Sequence, residues 1–150
     1  MSRAYIGIGS NLGNREDNCE RAIRRLSEQG IKVTRRSSMI ETKPWGVTEQ
    51  PDFINLAIEI ETGLKPDELL FLLKTIEAEI GRQPAVHWGP RVVDLDILLY
   101  DDIVIKTHEL EVPHPHLAER EFVLGPLAEI APEVVHPVLK KSIRELLMNL

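Results

Sequence analysis

Six segments alternate between two hydrophobic periods, and their order leaves few folds open. Ala4 to Gly9, Ile31 to Ser37, Phe53 to Ile60 and Val92 to Tyr100 read as strands, in which successive side chains point to opposite faces. Between the first two, Cys19, Ala22, Ile23 and Leu26 recur at helical spacing. Asn14 suits the N-cap of that helix, Asp17 falls close to a capping-box position and Gly30 suits its stop. Between the last two strands, Pro66 opens a second helix at its favoured first position. Leu69, Leu72, Leu73, Ile76 and Ile80 form its apolar stripe, and Gly81 ends it.

The order β-α-β-β-α-β predicts an α+β fold with an antiparallel sheet, the split βαβ arrangement of ferredoxin-like folds. A polar loop with Pro44, Gly46 and Pro51 separates the two middle strands. After Tyr100, Asp101-Asp102 reads as a turn between short strands. Pro113, Pro115, Pro126, Pro132 and Pro137 then cut the tail into short pieces, and Ser142 to Leu150 reads as a terminal helix. The 150 residues fit one domain, 1–150, with volume for a core.

Composition narrows the function. The single cysteine, Cys19, excludes an internal disulfide and reads as a small core residue in a reducing compartment. No apolar run approaches the ~18 residues of a membrane span, and Met1-Ser2-Arg3 opens no signal peptide. The expectation is a cytoplasmic protein with no membrane partner. The net charge of −6, without a long basic cluster, argues against nucleic acid. An anionic substrate would need local arginines or bound metal to reverse the field.

Strand alternation sorts the candidate chemistry onto one face. Val93, Leu95, Ile97 and Leu99 are expected to share an apolar face, with Asp94 and Asp96 together on the other. Opposite Ile54, Leu56, Ile58 and Ile60 lie Phe53 and Asn55, and opposite Ile6 and Ile8 lie Gly7 and Gly9, which leave room for something to approach the backbone. Two carboxylates at i and i+2 lie within reach of one divalent ion or a close pair. An Asp-x-Asp on a solvated strand face is the plain alternative. Arg82 and Arg91 bracket the preceding loop, which fits a lid carrying phosphate-binding forks. His114, Arg120, Trp45 and Phe122 are further candidates, though residues of these types taken alone are more often structural or solvated than functional. From the residues alone, a metal-dependent nucleotidyltransferase and a ligand-binding module on the same frame stay open.

The segment His87-Trp88-Gly89-Pro90-Arg91-Val92-Val93-Asp94-Leu95-Asp96-Ile97-Leu98 resembles the 6-hydroxymethyl-7,8-dihydropterin pyrophosphokinases of folate biosynthesis. Tyr5 to Gly13, Gln50 to Asn55, Val112 to Pro115 and Arg120 to Leu124 resemble other segments of that family, in order. The resemblance implies transfer of diphosphate from ATP to the pterin, with AMP as the second product, by a monomer built as an α-β-α three-layer fold. It implies Arg82, Arg91, Asp94 and Asp96 as catalytic, with Asp94 and Asp96 holding two Mg2+ ions bound with ATP. Lys74, Glu77, Trp88, Arg91, Ile97, His114 and Arg120 would lie along ATP. Thr42, Pro44, Trp45, Phe53, Asn55 and Phe122 would surround the pterin, the two phenylalanines sandwiching its ring.

Overall fold

The computed structural model describes residues 1–43, 51–81 and 92–150. Its main sheet contains β1 (Ser2–Ser10), β2 (Lys32–Arg36), β3 (Ile40–Thr42), β4 (Phe53–Thr62) and β5 (Asp94–Tyr100). The order is β2-β4-β1-β5, with β3 also pairing β4, and every pairing is antiparallel. Between the strands run α1 (Arg15–Glu28) and α2 (Pro66–Gly81). The tail adds the two-stranded β6 (Ile105–Lys106) and β7 (Glu111–Val112), then α3 (Glu121–Ile130) and α4 (Ile143–Met148). The result is a mixed helix and antiparallel-sheet fold.

Local chemistry accounts for the helix ends. The Asn14 side chain accepts from the Asp17 amide at 3.1 Å, as its spacing predicts. Ser142 caps α4 in a capping box with Glu145, at 3.1 Å in each direction. Cys19 is fully buried on α1, packed with Ala22 and Leu26.

Two cores lie on opposite sides of the sheet. Leu26 of α1 and Leu69, Leu73 and Ile76 of α2 pack with Ile6, Ile8, Leu56, Ile58, Leu95 and Ile97. Leu124 and Leu127 of α3 and Ile143 and Leu146 of α4 pack with Tyr5, Ala57, Leu98 and Leu99.

Leu99 is therefore not on the face of Leu95 and Ile97. Tyr5 pairs with Leu99 and Ile6 with Ile97, so β5 carries one extra residue, Leu98. Such a bulge shifts the phase of alternation. Leu98 and Leu99 both join the α3/α4 core, and Tyr100 returns to the other.

Two elements were not expected. Ile40–Thr42 lies in what reads as a polar loop, yet pairs with β4 at Asn55, Ile54 and Phe53. Pro126 lies inside α3 rather than breaking it. An internal proline costs about 3 kcal/mol and removes the N–H that would reach the Phe122 carbonyl. Burial of Leu124, Pro126, Leu127 and Ile130 along one side of α3 offsets that cost.

Candidate active site

Sheet register assembles the site row by row. Gly9 of β1 pairs with Asp94 on one side and Asn55 on the other, so Asp94, Gly9 and Asn55 form one row. The next row is Asp96, Gly7 and Ala57. On the far side of β4, Thr42 pairs with Phe53 and Ile40 with Asn55. The expected polar face exists at this end of the sheet; further along, the same face is covered by α3 and α4.

The two glycines are not simply bare backbone. A Cβ on Gly9 would meet Asn55 Oδ1 at 2.7 Å, so glycine here lets the amide lie across β1. A Cβ on Gly7 would meet Leu98 Cδ2 at 3.3 Å. Each glycine accommodates a neighbouring side chain as well as opening onto the space above.

That space is a cavity of about 290 Å³. One end is lined by Thr42, Phe53, Asn55 and Phe122, the other by Asp94, Asp96, His114 and Arg120. Asn55 Nδ2 donates to Thr42 Oγ1 at 2.6 Å, which fixes the amide against the end of β3. Eight of the residues singled out from sequence thus converge. Lys74, Glu77 and Ile97 do not line the cavity. Ile97 buries its side chain in the α1/α2 core. Lys74 donates to Glu77 Oε1 at 3.2 Å, and Glu77 Oε2 accepts from the Leu95 amide at 2.7 Å. Pro44, Trp45, Arg82, Trp88 and Arg91 lie outside the described residues.

Neighbours tune the acid-base groups. Burial holds the His114 imidazole below its ordinary range; Arg120 and His116 add to the effect, while Asp96 and Glu111 oppose it. His114 Nδ1 accepts from the His116 amide at 3.1 Å, so the neutral ring carries its proton on Nε2 and can donate there. Burial pushes the Glu77 carboxyl up, against the Leu95 amide and Lys74, with Asp96 adding to the rise. Arg120 is buried, with its guanidinium 5.7 Å from the Phe122 ring centroid, so the two ends of the cavity meet at this pair.

Asp94 and Asp96 are the donors able to hold a divalent cation. Among the described residues, no group of three or more His, Cys, Asp or Glu is placed for one. Two carboxylates suit an ion that completes its shell with water and phosphate oxygens.

Lys43 and His116 also line the cavity and were missed. Lys43 adjoins the loop already singled out. His116 was signalled by the i, i+2 spacing of His114 and His116 and by Glu119 three residues on, whose carboxylate lies 2.9 Å from His116 Nδ1.

Residues 5–132, which include every residue lining this cavity, match the family model described as 7,8-dihydro-6-hydroxymethylpterin-pyrophosphokinase (HPPK). The chain belongs to this family. It is 43% identical over 145 residues to the 2-amino-4-hydroxy-6-hydroxymethyldihydropteridine pyrophosphokinase of Aquifex aeolicus, covering 97% of this chain and 90% of that protein. It is 50% identical over 132 residues to the Bacillus subtilis protein of the same name, covering 87% and 79%. Crystal structures of Plasmodium falciparum HPPK-DHPS share the fold, one with a TM-score of 0.80 at 17% identity. That match takes in 99% of this chain but only 42% of the longer one. The family match thus takes in most of both cores and both ends of the cavity.

Proposed function

We propose that this chain transfers the terminal diphosphate of ATP to the hydroxymethyl oxygen of 6-hydroxymethyl-7,8-dihydropterin, the step its family supplies to folate biosynthesis. The observation that carries the reading is the two-ended cavity. An aromatic and amide end suits a flat, polar-edged ring, and it adjoins an end of paired carboxylates, histidine and arginine suited to a polyphosphate.

At the first end, Phe53 and Phe122 stack on the pterin, and Asn55, held by Thr42, hydrogen-bonds its polar edge. Pro44 and Trp45 complete that end on the strength of the resemblance. At the second end, His114 donates from Nε2 and Arg120 supplies charge to phosphate oxygens. On the strength of the resemblance alone, Lys74, Trp88 and Ile97 would lie along the nucleotide outside this cavity. Asp94 and Asp96 would hold two Mg2+ ions, which when bound neutralise the phosphates and help orient them.

The hydroxymethyl oxygen attacks the β-phosphorus. An O–P bond forms, the bond from that phosphorus to the α,β-bridging oxygen breaks, and AMP leaves with the electron pair. The hydroxymethyl proton passes to water. The protein's contribution is positioning and charge, as for other phosphoryl transfers. Arg82 and Arg91 supply further positive charge to the transferring group.

We also read the sheet as ferredoxin-like and the fold as three layers, α-β-α. The strand order β2-β4-β1-β5 and the two opposed cores support this. Residues 1–150 are taken as one domain, monomeric and cytoplasmic. Among the described residues, no helix is long and apolar enough to cross a membrane.

The test is a product assay with ATP, Mg2+ and the hydroxymethyl pterin. AMP appearing only when all three are present is expected. ADP or pyrophosphate in its place, or no product from folded protein, overturns the reading.

A further inference from the structure

Among the described residues, the acid pair sits on a strand at the end of the sheet, where half of the backbone groups have no neighbouring strand. Buried backbone donors need a partner. At Leu95, between the two aspartates, a side chain supplies it. Glu77 Oε2 accepts the Leu95 N–H at 2.7 Å, across 18 residues of sequence. This is the length of a charge-assisted bond. Glu77 itself is well covered, with 18% of its side chain exposed, and Lys74 Nζ lies 3.2 Å from its other oxygen.

The position of this bond matters more than its strength. Leu95 is 1% exposed and packs in the same core as Ile76, one residue before Glu77, where α2 lies against β5. Its side chain is therefore held by α2 packing and its amide by an α2 carboxylate. Asp94 and Asp96 flank that doubly held residue and point to the opposite face, into the cavity. Two neighbouring carboxylates repel each other, and an edge strand can relieve that by splaying. Pinning the amide between them removes the freedom to do so.

The geometry points to Glu77 as a positioning residue that sets the spacing of Asp94 and Asp96 through the Leu95 amide, without touching substrate. It rests on the reading that this pair binds the metal ions, and it replaces the nucleotide contact that the resemblance implies for Glu77.

Two variants separate the roles. Glu77→Ala removes the acceptor, whereas Glu77→Gln keeps a carbonyl oxygen at the same reach. The first readout is hydrogen exchange of the Leu95 amide without ligands. It should speed up in Glu77→Ala and stay slow in Glu77→Gln. The second is Mn2+ binding, followed by electron paramagnetic resonance in the presence of α,β-methylene ATP. Affinity should fall about tenfold in Glu77→Ala, the usual cost of losing an outer-sphere support, and be largely restored in Glu77→Gln. Metal-free affinity for the ATP analogue should not change.

Unchanged Leu95 exchange in Glu77→Ala overturns the proposal. So does a loss of metal-free nucleotide affinity with Mn2+ binding intact, which would make Glu77 a direct contact. If Glu77→Ala does not fold, Glu77→Gln decides: weak Mn2+ binding with a protected Leu95 amide refutes the mechanism. Failure of the parent protein to form AMP would sink the proposed reaction while leaving both readouts interpretable.

Discussion

Gly9→Ala tests the pterin end of the cavity through a residue that need not touch the ligand. The added Cβ would lie 2.7 Å from Asn55 Oδ1, and ordinary contact begins at about 3.4 Å. Asn55 must retreat, and the retreat acts on a bond of 2.6 Å to Thr42 Oγ1. The backbone can accept alanine, since Gly9 is not among the left-handed glycines. The cost should therefore appear in binding. A misplaced amide forfeits about two hydrogen bonds to the ring edge, at roughly 1–1.5 kcal/mol each. Pterin affinity should drop about 30-fold to 150-fold. Calorimetric titration would show this, with ATP affinity unchanged and the thermal midpoint within a few degrees of the parent. Asn55→Ala in the same background should add little, because both changes remove one interaction. Parent-like pterin affinity in Gly9→Ala, or full additivity of the two substitutions, would refute the reasoning.

Other predictions follow from the same contacts. Asp94→Asn or Asp96→Asn should abolish AMP formation in a product assay while leaving pterin affinity within a few-fold, because the aspartates and the ring-binding residues line opposite ends of the cavity. The Cys19 thiol is fully buried and pushed up to about 12, chiefly by that burial. It should resist alkylation in the native protein and react only as fast as the chain unfolds, as mass spectrometry would show. His136 is buried, and its Nδ1 accepts from the Val138 and Leu139 amides at 3.2 and 3.0 Å. Burial holds it below its ordinary range, so the folded ring stays neutral where the unfolded ring charges. Its stabilisation is then complete above about pH 6.5 and is lost as pH falls from there through the folded value. Thermal midpoints measured from pH 8 to pH 5 should fall less in His136→Gln than in the parent.

Much of the site was legible because strand alternation is a local rule. The faces of Asp94 and Asp96, of Phe53 and Asn55, and of Gly7 and Gly9 follow from counting by twos, and register joined them. What escaped depends on partners distant in sequence. Three residues, Ile40 to Thr42, have too little pattern to announce a strand; β4 supplies the pairing. Pro126 argues locally against a helix, and only the buried side of α3 reverses that. The bond from Glu77 to Leu95 crosses from α2 to β5, so nothing local in the sequence announces it. The bulge at Leu98 has no local signature either, since Leu98, Leu99 and Tyr100 are all apolar enough for either core.

That bulge explains how one sheet face can be a wet cavity at one end and dry core at the other. Before it, the face carries Asp94 and Asp96; after it, Leu98 and Leu99 turn to the same side and pack with Leu124 and Leu127. Leu98 is the boundary, 2% exposed and also part of the cavity wall. It fills the space above Gly7, where a Cβ would find Leu98 Cδ2 at 3.3 Å and Cγ at 3.6 Å. Leu98→Ala should cost about 2–5 kcal/mol in stability, as buried leucine truncations do. Gly7→Ala alone should destabilise mildly by crowding Leu98. In the Leu98→Ala background the sign should reverse, because the new methyl then enters vacated space. Chemical denaturation of the four proteins in the cycle gives the coupling, expected at about 1 kcal/mol in favour of the pair. A cycle without coupling would mean that Leu98 does not rest on Gly7, and the division between cavity and core would need another cause.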